Sequence, residues 1–211
     1  MLSEARLYVI SADGVLEDQV RLLCAAVDGG ADVVQLRSKA ESAGAIADAA
    51  RQLVPYCRAR GVPAIVNDHV GAAIAADADG AHLGQDDGDL GVARAAWRPG
   101  KFLGRSTHSL DQALAAVSEG ADYIGVGPVF ATPTKPGRPA VGTELVRAVA
   151  VLDLELPWFA IGGINLDNLD QVLAAGARRV AVVRAVSDAT DPAAAAADLK
   201  ARLATPVGGA A

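Results

Sequence analysis

Only two cysteines occur in this chain of 211 residues, and Cys24 and Cys57 stand far apart without CxxC spacing. Each falls inside a stretch of helical periodicity, which reads as a small buried hydrophobe rather than half of a redox or metal pair. Such usage fits a reducing cytosol. No run of about 18 apolar residues is present, and Met1 to Arg6 lacks the apolar core of a signal peptide. The expectation is a soluble, cytoplasmic protein without a membrane partner. Positive charge is also thin: 19 Lys and Arg against 25 Asp and Glu give a net charge of -6 and a pI near 5.0. With no basic run to follow a phosphodiester backbone, the sequence argues against nucleic acid as a partner. Two familiar motifs are incomplete. Gly125 and Gly127 do not extend to G-x-G-x-x-G because position 130 is Phe, so no dinucleotide is implied. In GRSTH, His108 stands where a G-x-S-x-G elbow needs its second Gly, and no natural Asp partner completes a hydrolase triad.

What the chain has in quantity is apolar residues, 52% of the total with mean hydropathy +0.27, enough to bury one full core. They fall in short runs that alternate with amphipathic segments. The spacing predicts strands over 7–10, 33–36, 64–66, 80–83, 102–104, 123–126, 158–161 and 179–183. Between and after them it predicts helices over 17–28, 42–60, 70–76, 89–97, 110–119, 143–152, 166–175 and 192–203. Eight strand-helix units in one domain over 1–204 mean a single-domain α/β protein, a (β/α)8 TIM barrel, with a doubly wound sheet as the alternative. The Gly/Ala-rich end over 205–211 is expected to be a flexible, disordered tail. An internal echo accompanies alternate strands: Gly30-Ala31-Asp32, Asp77-Ala78-Asp79-Gly80, Gly120-Ala121-Asp122 and Gly176-Ala177-Arg178. Each is a helix stop and a tight turn into a strand, which marks the stabilising face of the barrel. Chemistry belongs at the other ends of the strands.

Those ends are polar. Gln35, Arg37 and Lys39 follow the second strand, Asn67 and Asp68 the third, and Gln85, Asp86 and Asp87 the fourth. Ser106, Thr107 and His108 follow the fifth, Gly162 and Gly163 the seventh, and Arg184 the eighth. After the sixth, the stretch GADYIGVGPVFATPTK over 120–135 ends in Thr132, Pro133, Thr134 and Lys135, two hydroxyls and a point charge suited to phosphate oxygens. Taken alone, this stretch also reads as a solvated Pro/Thr loop. Asp68 and Asp87, on neighbouring strands, offer hard oxygen ligands without a His or Cys partner set, which suits Mg²⁺ arriving with a phosphorylated substrate. Alternatively, Asp68 caps the helix after it and Asp87 solvates a loop. IGGIN (161–165) and VVRAV (182–186) are turns that can hold a phosphomonoester on backbone N–H groups, or glycines that serve close packing. His82, inside a strand, reads as a satisfied core or rim histidine, and His69 as a surface helix residue.

In order along nearly the whole chain, QLRSK, VNDH, HLGQDD, GRSTH, GVGPVFATPTK, AIGGI and VAVVRAV resemble the thiamine-phosphate synthase family, with QxRxK and TPTK the most telling pair. The resemblance implies joining of a hydroxymethylpyrimidine diphosphate to a thiazole phosphate with release of diphosphate. It implies that Gln35, Arg37, Lys39, Asn67 and Lys135 contact the pyrimidine diphosphate, with Leu36 and Ser38 in the same QLRSK segment. Asp68 and Asp87 would hold Mg²⁺. Ser106 would meet the pyrimidine or the diphosphate; Thr132, Pro133 and Thr134, Gly163 and the backbone of Val183 and Arg184 would hold the thiazole phosphate. Small residues are frequent in the family at the place of Arg184, so the carried-over role there is that of its backbone. The family also suggests a self-associating barrel.

Charge alone gives a compatible mechanism. An aminopyrimidine delocalises the cation left when diphosphate departs, and the thiazole nitrogen then adds, so no protein nucleophile is needed. Neutralising one departing charge at about 4 Å is worth roughly 4 kcal/mol at an effective dielectric near 20, about a thousandfold in rate. Lys135, Arg37, Lys39 and Ser106 are the residues on which that stabilisation would fall. Rival readings are a thiazole tautomerase-like isomerase with His108 as proton carrier, a non-catalytic thiamine-phosphate sensor, and a phosphosugar isomerase or epimerase.

Overall fold

The computed structural model describes residues 2–132 and 139–205. Its elements are β1 (Leu7–Ile10), α1 (Leu16–Asp28), β2 (Val33–Leu36), α2 (Ala43–Arg58), β3 (Ala64–Asn67), α3 (Val70–Ala75), β4 (Gly80–Leu83) and α4 (Leu90–Ala96). The second half runs β5 (Phe102–Thr107), α5 (Leu110–Ser118), β6 (Tyr123–Val126), α6 (Gly142–Ala150), β7 (Trp158–Ile161), α7 (Leu169–Ala174), β8 (Val180–Val182), α8 (Arg184–Ser187) and α9 (Pro192–Ala204). All pairings are parallel and in chain order, and β8 pairs with β1, so the sheet is a closed barrel rather than a doubly wound sheet.

Alternation along each strand divides the core in two. Tyr8, Ile10, Val33, Ile65, Tyr123, Phe159 and Ala181 form one buried cluster, the barrel interior. Their strand neighbours Leu7, Val9, Val34, Leu36, Ala64 and Val66 pack outward with the helices in a second cluster. The large interior rings need empty space opposite them. Gly104 supplies it, since a Cβ there would overlap both the Tyr123 ring and His82 Nδ1.

The echo proves to be a set of carboxylate staples at the strand beginnings. Asp32 Oδ2 accepts from Arg6 N at 2.7 Å and Leu7 N at 2.9 Å. Asp79 Oδ2 accepts from Ala64 N at 3.0 Å, and Asp122 Oδ2 from Leu103 N at 2.7 Å. Each aspartate thus sits just before an even strand and fixes the start of the odd strand beside it. The fourth copy carries Arg178 instead of Asp. Gly30, Gly120 and Gly176 have φ of 92°, 82° and 102°, the left-handed helix stop that the echo implied.

Several boundaries differ from the sequence expectation. β5 continues through Ser106 and Thr107, and Asn67 lies inside β3 rather than beyond it, while β2 has the expected bounds with Gln35 inside it. β8 is shorter than expected, and a short helix, α8, follows directly. α7 starts at Leu169 because Asn165 Oδ1 accepts from Asp167 N and Asn168 N at 3.0 and 3.2 Å, a local turn that competes with helix. Beyond Thr205, the expected tail lies outside the described residues. Among the described residues no helix is long and apolar enough to cross a membrane.

The staples make a stability prediction. Asp122→Ala removes the acceptor for Leu103 N and the partner of Arg94, and is expected to cost about 2 kcal/mol in urea unfolding. Asp122→Asn, which keeps a carbonyl oxygen, is expected to cost less than half as much; equal losses would show that the backbone bond is not what matters.

Candidate active site

At the top of β2 the chain is held from β1. Ser11 Oγ donates to Gln19 Oε1 at 2.7 Å and accepts from Arg37 N at 2.9 Å. Asp13 pairs with the Arg37 guanidinium at 2.8 Å and accepts from Lys39 N at 3.0 Å. Arg37 is buried with its side chain only 7% exposed, so its charge is aimed and dry rather than solvated.

Lys39 reaches across to the end of β3, where Nζ meets Asp68 Oδ2 at 2.5 Å. Asp68 occupies the left-handed region at φ 58°, a conformation Asp tolerates better than most residues. It does not cap α3; the capping position is His69, which makes no side-chain cap bond. Burial pushes the Asp68 carboxyl above its ordinary range, and the facing Asp87 carboxylate pushes the same way against Lys39. Asp87 is fixed by Gly84 N, which donates to its Oδ2 at 2.9 Å. The β4–α4 loop carrying it is braced from outside the barrel by Arg105, which donates to the carbonyls of Gly84 and Gly88 at 2.7 and 2.9 Å and pairs with Glu119 at 3.1 Å. Two facing carboxylates are a hard-oxygen pair suited to Mg²⁺. Among the described residues no group of three or more His, Cys, Asp or Glu could hold an ion.

On the far side of the rim, a cavity of about 390 Å³ is bordered by Ser106, Thr132, Gly162, Gly163, Val183 and Arg184. Its floor depends on glycine: Gly162 and Gly163 have φ of 106° and 65°, and a Cβ on Gly163 would come within 2.8 Å of Phe130 Cβ and 2.9 Å of Ala131 O. Val129 N and Phe130 N donate to the carbonyls of Ile161 and Gly162 at 2.8 and 2.9 Å, tying the β6 loop to β7. α8 begins at the cavity edge, and the first N–H groups of a helix have no partners within it. The Arg184 guanidinium is exposed and lies 3.6 Å from Asp188. His108 also borders the cavity, with Nδ1 on the Gly127 carbonyl.

The family model for thiamine monophosphate synthase, TMP-TENI, matches residues 7–186. The chain belongs to the thiamine-phosphate synthase family. It is 50% identical to the thiamine-phosphate synthase of Acidothermus cellulolyticus over 96% of this chain and 97% of that one. It is also 50% identical to the thiamine-phosphate synthase of Thermobifida fusca over 96% and 94%. Among solved structures, a thiamine phosphate pyrophosphorylase from Pyrococcus furiosus superposes with a TM-score of 0.88 at 35% identity, covering 98% of this chain and 99% of that one. A 3-hexulose-6-phosphate synthase, at 20% identity and TM-score 0.66, shares the barrel fold.

Measured against the residues that the thiamine-phosphate synthase family resemblance singled out, the rim brings together two groups. Arg37, Lys39, Asp68 and Asp87 gather over β2 to β4, while Ser106, Thr132, Gly163, Val183 and Arg184 border the cavity. Gln35 and Ser106 both face inward, Gln35 within the expected strand and Ser106 on β5 rather than in the loop after it. Pro133, Thr134 and Lys135 lie outside the described residues. Sequence reasoning missed Ser11, Asp13 and Arg105, which hold the site without lining it. The polar pair after β1 was legible as a strand end on the same rim; Arg105 was not, because its partners lie on other loops.

The Asp68–Asp87 contact makes a prediction that runs against the usual effect of substitution. A carboxyl whose folded-state pKa is raised incurs no penalty below its unfolded pKa and the full penalty above its folded one. Asp68→Asn removes that penalty at neutral pH, and Asn accepts the left-handed backbone. The metal-free variant is expected to be more stable than the parent in urea unfolding at neutral pH; a loss would mean that the Lys39 pair dominates.

Proposed function

We propose that the chain is a thiamine-phosphate synthase, joining 4-amino-2-methyl-5-(diphosphooxymethyl)pyrimidine to thiazole phosphate. The observation that carries this reading is the division of one rim into a charged half and a glycine-floored half, with Ser106 between them. Two anionic substrates can lie side by side there with their reacting atoms meeting over the barrel mouth. The names of the relatives support the same reaction.

In that reaction the bond from the pyrimidine methylene to the diphosphate oxygen breaks, and its electron pair leaves with diphosphate. The thiazole nitrogen lone pair then forms the new C–N bond to the methylene. Arg37 and Lys39 stabilise the departing oxygens, Arg37 from a position already desolvated and held by Asp13. Asp68 and Asp87 would hold Mg²⁺, which when bound supplies further positive charge to the leaving group. Lys39 would then turn from Asp68 to the diphosphate. Gln35 and Asn67 orient the pyrimidine. Gly163 and the backbone of Val183 and Arg184, with Thr132, hold the thiazole phosphate; Thr134 and Lys135 take part on the strength of the family resemblance. Binding both partners on one rim supplies the orientation that solution chemistry lacks.

The experiment mixes purified protein, Mg²⁺ and both substrates, and follows thiamine phosphate and diphosphate together. Equal, Mg²⁺-dependent appearance of the two is expected, with Lys135→Ala and Asp68→Asn each slowing turnover by about a hundredfold or more. No product from folded protein that still binds thiazole phosphate would overturn the synthase reading and turn attention to His108 as an isomerase group. Wild-type rates in both variants would overturn the site assignment.

A further inference from the structure

A polar chain crosses the barrel interior beneath the rim. Gln35 Nε2 on β2 donates to the Tyr8 hydroxyl on β1. Tyr8 and Tyr123 share a hydrogen bond between hydroxyls at 3.0 Å. Tyr123 on β6 meets His82 Nδ1 at 3.2 Å, and His82 Nε2 on β4 meets Ser106 Oγ on β5 at 2.9 Å. All five residues are buried, and Phe159 packs edge-on against both tyrosines at 5.3 and 6.0 Å. Burial keeps both phenols protonated far above neutral pH, so each has one hydrogen to give.

With neutral groups and one hydrogen per bond, the chain has two self-consistent directions. If Gln35 donates to Tyr8, then Tyr8 must donate to Tyr123 and Tyr123 to His82 Nδ1, and the remaining ring proton on Nε2 goes to Ser106 Oγ. Gln35 Oε1 is then left as an acceptor, and the Ser106 hydroxyl proton is left to donate into the cavity. If the Gln35 amide turns over, every bond reverses, and Gln35 offers a donor while Ser106 offers an acceptor. A mixed arrangement leaves a buried hydrogen without an acceptor or sets two acceptors against each other, which the buried setting penalises.

We infer that Tyr8, Tyr123 and His82 are positioning residues that lock the polarity of Gln35 to that of Ser106, and so select the ring the site accepts. Joined to the synthase reading, on which this choice of ligand rests, an anionic or lone-pair acceptor at Ser106 fixes the direction in which Gln35 accepts. The pyrimidine group facing Gln35 must then be a donor. A 4-aminopyrimidine satisfies both ends, whereas a 4-oxopyrimidine sets two acceptors against each other at Gln35. His82 touches no substrate in this scheme; it acts through Ser106.

Nitrogen-15 NMR of histidine in the ligand-free protein at about pH 8 tests the relay without any turnover, with His69→Gln and His108→Gln variants to assign the signals. The parent is expected to carry the His82 proton on Nε2. Gln35→Glu, an acceptor once ionised, is expected to move it to Nδ1, and Tyr123→Phe is expected to abolish that response. The same tautomer in the parent and in folded Gln35→Glu would overturn the inference. A second measurement covers the case in which Gln35→Glu does not fold. The parent is expected to favour the amino over the oxo pyrimidine diphosphate in kcat/KM by about a hundredfold or more, and Tyr123→Phe to shrink that ratio to within about tenfold, with KM for thiazole phosphate unchanged. An unchanged ratio would overturn the inference. Absence of turnover on either pyrimidine in the parent would strike the synthase reading and leave the tautomer measurement to decide the relay.

Discussion

Every strand in a closed parallel barrel must be in register with two neighbours, and the aspartate staples are where that register is fixed. Asp32 and Asp79 bond the first backbone N–H groups of β1 and β3 and Asp122 the second of β5, while β2, β4 and β6 begin at the residue after each aspartate. Three positions further on, each even strand presents an inward residue near its top: Gln35, His82 and Gly125. A slip of one residue would turn these outward and bring Leu36, Leu83 or Val126 into the interior. The offset from staple to site is therefore fixed by strand geometry, about 10 Å at 3.3 Å per residue. Loops at the top can vary without loosening it.

The two ends of the barrel treat charge differently for that reason. At the bottom, each stapling carboxylate has a cation beside it: Lys200 at Asp32, Arg58 near Asp79 and Arg94 at Asp122. These paired groups tie the strand beginnings to the helices around them. At the top, Asp68 and Asp87 face each other, and Arg37 is buried against a single half-exposed aspartate. Such an arrangement is unfavourable in the empty protein, since burial and the neighbouring carboxylate both work against ionised Asp68. The bottom end supplies the stability that permits the strained top.

How much of this could be read from the sequence follows from the range of the interactions. The strand count, the barrel and the Asp68–Asp87 pair were legible because apolar alternation and strand-end polarity are local signals. The end of β5 was not: Arg105, Ser106 and Thr107 look like a polar loop, yet they continue the strand. Arg105 finds carbonyls on the β4–α4 loop, Ser106 finds His82, and Thr107 Oγ1 donates to the Gly125 carbonyl at 3.0 Å. Polar residues become strand residues when distant partners satisfy them, and no window of sequence contains those partners. Asp13 escaped for the same reason, since its meaning lies in Arg37 and the Lys39 backbone on another loop. The start of α7 differs because Asn165 bonds its own neighbours, a local effect that helical periodicity does not register.

The interior polar chain shows the same principle at higher stakes. An interior of Val, Ile and Phe alone would close the barrel with no unsatisfied group, whereas two tyrosines, a glutamine and a histidine there are tolerable only when each hydrogen has an acceptor. Satisfying them constrains the neighbours as well. Gly104 must lack a side chain because the Tyr123 ring and His82 occupy the space it leaves. A barrel that needed only to fold would have little reason to accept these conditions. The inferred relay, which connects Gln35 on β2 to Ser106 on β5 through the middle, is a reason for them that packing alone does not supply.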